Sequence, residues 1–285
     1  MKPKLIYVLS AGGAKGLAHI GVLDILEKNG LKPDLIVGTS IGALIGGLYA
    51  NGNNLKEIEE TASKINQWQK FFLFSSLPQK DGLIRGTKIE NLIKKFIDEK
   101  KFTDLKIPFY AIATDLVSGE KVVLKSGLAF RAIRASIAVP GLFTPTVING
   151  KILVDGGLLD PLPIDIAYKA KLKSPIVIAS SVWSPLKREN FKKNFGVIAI
   201  LRRSIKIMED TIYKQSIKEA ENLVLIKPKV ENYGFWDYDK AKELISLGKE
   251  AAKEKLSVIK NLLKVSYAKK NLSTKKKKKS QNSWL

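Results

Sequence analysis

The stretch Gly38-Thr39-Ser40-Ile41-Gly42 constrains this chain more than any other. One apolar run, Leu35-Ile36-Val37, leads into it, and a second, Ala43 to Ala50, leaves it. That order predicts a strand, a sharp turn and a helix, with the serine on the turn. A Gly-x-Ser-x-Gly segment in this setting is a nucleophile elbow, which pushes the serine oxygen out of the fold. Gly38 and Gly42 leave room for chain packed tightly against the turn. The following helix aims its N-terminus at the serine and favours negative charge developing there. An ordinary glycine-rich turn would look the same over five residues, so the reading depends on the rest of the chain.

The same pattern stands upstream. Leu5 to Leu9 reads as a buried strand, followed by Ser10-Ala11-Gly12-Gly13-Ala14-Lys15-Gly16 and a helix to about Asn29. Leu17, Ile20, Leu23 and Leu26 form one apolar stripe on that helix. Backbone N–H groups at such a loop are unpaired and point at whatever binds, so it suits a phosphate cradle or an oxyanion hole. A P-loop closes on Gly-Lys-Ser/Thr, whereas Lys15 is followed by Gly16-Leu17. A dinucleotide loop needs Gly-x-Gly-x-x-Gly and an acidic residue after the next strand. Here Ala11 takes the first place, and the next strand ends in the elbow. An oxyanion hole fits better, because adjacent parallel strands would bring both turns to one carboxyl edge of a sheet.

Counting removes several chemistries. The single histidine, His19, precedes Ser40, so a triad in the order serine, acid, histidine is excluded. Inside the first helix, His19 reads as a structural side chain. With no cysteine and one histidine, neither a thiolate nor a multi-histidine metal site can form, and no metal or cofactor is expected. A carboxylate is then the next plausible base for a serine. Val154-Asp155-Gly156-Gly157 supplies one, at the end of a hairpin turning at Asn149-Gly150. Taken alone, an aspartate before two glycines is commonly just a turn.

No run approaches the ~18 apolar residues of a spanning helix. The first apolar run is shorter than the ~7–15 residues of a signal peptide, so it reads as a strand and the chain as cytoplasmic. The net charge is +22, from 49 Lys+Arg and 27 Asp+Glu. Residues 1–160 hold 21 basic and 15 acidic side chains, and residues 161–285 hold 28 and 12. Such a field attracts anionic membranes or nucleic acid, and a lysine-rich surface serving solubility is the plain alternative. Because 43 of the 49 are lysine rather than arginine, nucleic acid is not the expected partner.

The remaining pattern adds helices at 55–67, 87–100, 128–138, 196–220 and 237–264, and strands at 107–115, 120–124, 175–182 and 223–226. Phe71-Phe72-Leu73-Phe74 reads as core, or as a lid or membrane-touching loop, and Lys187 to Lys193 as a basic loop. The chain divides into a catalytic core at 4–166, the remainder of the same domain at 167–264, and a basic tail at 265–285. The tail contains Lys275 to Lys279, which repel one another and predict disorder and peripheral contact with anionic membrane.

Three motifs now stand in order: Ala11-Gly12-Gly13-Ala14-Lys15-Gly16, Gly38-Thr39-Ser40-Ile41-Gly42 and Asp155-Gly156-Gly157. Together they resemble the patatin-like phospholipase family, including its bacterial members related to neuropathy target esterase. Ala135-Ser136-Ile137-Ala138-Val139-Pro140-Gly141-Leu142-Phe143 and Glu243-Leu244-Ile245-Ser246-Leu247-Gly248 agree with it. Ala11 departs from it, standing where the family usually has a glycine. The resemblance implies a three-layer α/β/α sandwich with a mostly parallel central sheet, and a Ser–Asp dyad that cleaves lipid acyl esters without a cofactor. Carried over, Ser40 is the nucleophile and Asp155 the base. Gly12, Gly13 and Ala14 form the oxyanion hole, with Ala11, Lys15, Gly16, Gly38, Gly42, Gly156 and Gly157 supporting the motifs. An acyltransferase with the same dyad, or a non-catalytic basic membrane-binding protein, are the alternatives.

Overall fold

The computed structural model describes residues 4–60, 86–173, 175–186, 196–218 and 223–281. The expectations for Phe71 to Phe74 and Lys187 to Lys193 lie outside the described residues. In chain order, β1 (Leu5–Leu9) passes through a 3₁₀ turn at Gly13–Leu17 into α1 (Ala18–Lys28), and β2 (Leu35–Thr39) runs into α2 (Ile41–Asn51). Next come α3 (Gly86–Ile97), β3 (Phe109–Asp115), β4 (Lys121–Leu124) and α4 (Ala129–Ser136). The hairpin of β5 (Thr146–Ile148) and β6 (Lys151–Asp155) precedes α5 (Ile164–Lys169) and β7 (Ile176–Ser180). The order ends with α6 (Val197–Lys218), β8 (Leu223–Ile226) and α7 (Ala241–Gln281).

One eight-stranded sheet organises the molecule. Five of its strands, β3, β2, β1, β7 and β8, pair in parallel. β4 and β6 run antiparallel to β3, and β5 antiparallel to β6. Leu5, Tyr7 and Leu9 of β1 enter a core shared with α1, α2, α4 and α7. Ile6 and Val8 enter a separate core with α5 and Tyr213 of α6. Helices thus cover both sheet faces in a three-layer α/β/α sandwich, which is why β1 reads as an unbroken apolar run. Helices α1 and α7 approach to backbone contact through two glycines. A Cβ at Gly21 would meet the Ile245 carbonyl, and one at Gly248 would meet the Ala18 carbonyl.

Register on β3 positions the site. β2 follows β3 until Thr39 lies opposite Ile112. β6 takes over one residue further on, with Asp155 opposite Ala113. β4 overlaps both of them, covering Ala111 to Thr114. Strands that share a partner residue must lie on opposite flanks of it, so β2 and β6 lie on the same flank of β3 and meet end to end.

Two departures from the sequence reading, at α5 and at the last helix, have local causes. Helix α5 follows Pro163 and has six residues, too few to show a helical period. The stretch at 55–67 is helical where it is described, at 55–60. The last helix does not stop near 264 but continues to Gln281, through the lysine run expected to be disordered. Lysine is a good helix former, and extending a helix already nucleated needs no second nucleus.

Candidate active site

Ser40 occupies the single residue between β2 and α2, with φ 55° and ψ −124°. A side chain in that region costs about 1–3 kcal/mol and persists only where its surroundings enforce it. The enforcement is visible. Ser40 N–H donates to Ser136 Oγ at 2.9 Å, and Ser136 Oγ donates to the Ile112 carbonyl at 2.6 Å. Thr39 Oγ1 donates to the Asp160 carbonyl at 2.9 Å. The Ser40 carbonyl accepts the first helical bonds of α2, from Ala43 and Leu44. Gly42 lies against the Leu9 carbonyl at the end of β1, where a Cβ would collide. That contact sets the elbow against the start of the upstream glycine loop.

The head-to-head meeting of β2 and β6 brings Asp155 to the serine. Ser40 Oγ donates to Asp155 Oδ2 at 2.6 Å, and Gly157 N–H donates to Oδ1 at 2.7 Å. Asp155 is itself anchored by its N–H on the Ala138 carbonyl at 2.9 Å. Burial pushes the Asp155 carboxyl up to about 7, against the two hydrogen bonds that pull it down, and the charge of Glu209 adds to the rise. A carboxylate there can take a proton at neutral pH, unlike an aspartate in water near ~3.9. Burial also raises the neighbouring Tyr238 phenol, with the Asp155 charge adding to it, so that ring stays neutral.

The glycine loop lies beside this pair. Ala11 is not in the left-handed region, so a side chain fits where the family has glycine, and its N–H donates to the Pro161 carbonyl at 2.9 Å. Gly13 has φ 58° and lies under the Phe235 ring. The Ala14 N–H is committed to the Phe235 carbonyl at 2.9 Å, so of the three expected oxyanion donors it is engaged elsewhere. Gly12 and Gly13 N–H have no hydrogen-bond acceptor among the described residues. Gly16 packs on Ile41, the residue after the serine, and Ala11 on Gly157, the second residue after the aspartate.

His19 braces this loop from behind. By the tautomer its partners imply, Nε2 donates to the Ser10 carbonyl at 3.0 Å and Nδ1 accepts from Ser180 Oγ at 2.8 Å. Complete burial drives its pKa down to about 4, so the ring is neutral. The loop after β7 forms the far wall: Val182 N–H donates to Ser10 Oγ at 3.0 Å, and Lys15 Nζ donates to Ser184 Oγ at 3.0 Å. Helix α6 backs that wall. Trp183 Nε1 donates to Asp210 at 3.0 Å, and Lys206 Nζ lies 3.1 Å from the Trp183 ring centroid. Burial lowers the Lys206 ammonium to about 8.

Ser136, Ser180, Trp183, Lys206 and Glu209 were not assigned roles from sequence. Their contacts depend on tertiary neighbours far along the chain, and no local spacing marks them. No group of three or more histidine, aspartate or glutamate side chains suited to a metal occurs among the described residues.

Known proteins resemble this chain in sequence and in fold. The chain is 37% identical over 180 residues to an uncharacterised NTE family protein of Mycobacterium bovis, covering 63% of this chain and 49% of that protein. It is 30% identical over 264 residues to a Kluyveromyces lactis protein named lysophospholipase NTE1, covering 85% of this chain and 18% of that one. The chain therefore spans about half the length of the first relative and under a fifth of the second. Among solved structures, VipD from Legionella pneumophila shares the fold, with a TM-score of 0.52 at 13% identity over 90% of this chain and 67% of that one. A model of the patatin-like phospholipases matches residues 7–168, a span that takes in the glycine loop, the elbow and Asp155, and the chain belongs to that family.

Proposed function

We propose that the protein is a serine hydrolase of lipid acyl esters, of the lysophospholipid or phospholipid class, with Ser40 and Asp155 as its catalytic dyad. The observation that carries the reading is the 2.6 Å hydrogen bond from Ser40 Oγ to a buried carboxylate. Family membership and a relative named as a lysophospholipase support the substrate class.

In this mechanism Asp155 Oδ2 takes the hydroxyl proton as Ser40 Oγ bonds to the ester carbonyl carbon. The N–H groups of Gly12 and Gly13 receive the carbonyl oxygen as it gains charge, and one such donor is typically worth about 2.7–4 kcal/mol of barrier. Collapse of the adduct expels the alcohol, which leaves with the proton held by Asp155. Water then gives a proton to Asp155 and attacks the acyl carbon. The fatty acid departs, and the proton returns to Ser40. One carboxylate at about pKa 7 serves as base and acid in both halves.

The test is hydrolysis of p-nitrophenyl butyrate and of a lysophospholipid by the wild type, Ser40→Ala and Asp155→Asn, with folding checked by circular dichroism. Both variants should be folded and lose at least ~1000-fold in kcat/KM. Equal activity in all three proteins would overturn the dyad. An acyl product transferred to an added alcohol in preference to water would make the protein a transferase.

A further inference from the structure

Helix α6 is inside out. Its inward stripe is polar: Lys206 on the Trp183 ring, Glu209 close enough to influence Asp155, Asp210 bonded to the Trp183 indole, and Tyr213 bonded to Ser181 at 2.8 Å. Over residues 200–208 its outward side is largely apolar, interrupted by Ser204. Ile200 is 47% exposed, Leu201 58%, Ile207 48% and Met208 62%. Spacings of seven and eight residues place these four on one side of the helix, as spacings of three and four place Lys206, Asp210 and Tyr213 on the other. A surface helix of a globular protein shows the reverse arrangement. An exposed apolar face of this kind marks a contact with another apolar phase.

We propose that the outward face of α6 docks on an anionic phospholipid bilayer, with Ile200, Leu201, Ile207 and Met208 entering the headgroup–acyl boundary. Charge selects this occupant. Lys214 and Lys218 follow Ile207 by seven and eleven residues, so they stand exposed on the same side of the helix, and the whole chain carries +22. A second copy of the chain would bring like charges together on this face, whereas an anionic surface is attracted to it. Helices with an apolar face and basic residues beside it lie in the plane of such an interface. Docked this way, α6 stands between the bilayer and the loop that walls the Ser40–Asp155 pair. The contact is distinct from any made by the lysine run at Lys275 to Lys279. It does not depend on the hydrolase reading, and its test is arranged accordingly.

Binding is measured by co-sedimentation with vesicles of equimolar phosphatidylglycerol and phosphatidylcholine. The protein used is the full-length Ser40→Ala variant, so that hydrolysis plays no part. Leu201→Glu with Met208→Glu, both at exposed positions, should lower partitioning at least about tenfold while leaving the melting temperature in place. A second measurement uses the absence of cysteine from the chain. Met208→Cys labelled with an environment-sensitive fluorophore should shift to the blue on mixing with these vesicles. Equal partitioning by the double variant, or a Met208 label that stays in water, would overturn the proposal. So would a dimer in sedimentation velocity that the double variant dissociates, because the face would then belong to a second copy.

Discussion

The Ser40 amide donates to the Ser136 hydroxyl at 2.9 Å, joining the elbow to the end of α4 across 96 positions of sequence. The same hydroxyl donates to the Ile112 carbonyl on β3 at 2.6 Å. Ser136 is a positioning residue, since it holds the strained backbone under the serine without touching Asp155. Ser136→Ala leaves a buried N–H and a buried carbonyl without their partner, which should cost about 1–3 kcal/mol in urea unfolding. Because small displacements of reacting groups are expensive, kcat should fall about tenfold or more while KM changes little. A variant with wild-type kcat would remove Ser136 from this role.

Asp155 should make the site a source of instability at neutral pH. Its carboxyl lies near 7 in the folded chain, against about 3.9 unfolded. Between those values the folded state holds a proton that the unfolded state has lost. The associated stability is present below about pH 4 and disappears as pH rises through about 7, a change on the order of 4 kcal/mol. Asp155→Asn abolishes this dependence, so its stability relative to wild type should climb from pH 4 and level off above 7. Ester hydrolysis by the wild type should rise with pH through the same midpoint. A stability difference that stays constant from pH 4 to 8 would contradict the buried, protonated carboxyl.

His19 gives the opposite slope. Its folded pKa is about 4, against about 6.5 unfolded, so its contribution is present above about 6.5 and is lost as pH falls through 4. The change is on the order of 3 kcal/mol. In the wild type the two groups partly cancel between pH 4 and 6.5, and Asp160, which burial also raises to about 7, adds to the slope of Asp155. His19→Gln should therefore lose stability as pH rises through this window. Its pH–rate midpoint near 7 should stay where it is, since the ring bonds Ser10 and Ser180 and not Ser40. Disappearance of that midpoint in His19→Gln would assign the ionisation to the histidine.

Gly21 and Gly248 should behave as one contact. Each faces a backbone carbonyl of the other helix, so Gly21→Ala or Gly248→Ala must part α1 from α7, at about 1–3 kcal/mol each. Once the helices have parted, the second methyl meets less resistance, and the double variant should lose less than the sum of the singles. Full additivity in thermal unfolding would mean that the two sites relax independently.

The order of elements and both βα turns of the site were legible in the sequence, because their determinants are local. Apolar runs mark β1 and β2, glycines mark the turns, and the strand β8 and the hairpin at Asn149-Gly150 were found where they were expected. Helix α5, too short to show a period, was not legible. Neither was the engagement of the Ala14 amide by Phe235, which depends on a segment more than two hundred residues away.

By itself the sequence determined that a serine would stand at a strained turn, that no histidine could follow it, and that a glycine loop would open the preceding helix. Those are statements about neighbours along the chain, enforced by backbone sterics and by counting. Only the tertiary structure decided that Ser40 and Asp155 meet, because β2 and β6 must first share one flank of β3. It also decided which face of α6 is covered. A periodic apolar stripe predicts burial, but the inward position on this helix is taken by Lys206, Asp210 and Tyr213, bonded to the wall of the site. Periodicity shows that a helix has two faces, and only packing against the sheet and its loops selects the one turned inward.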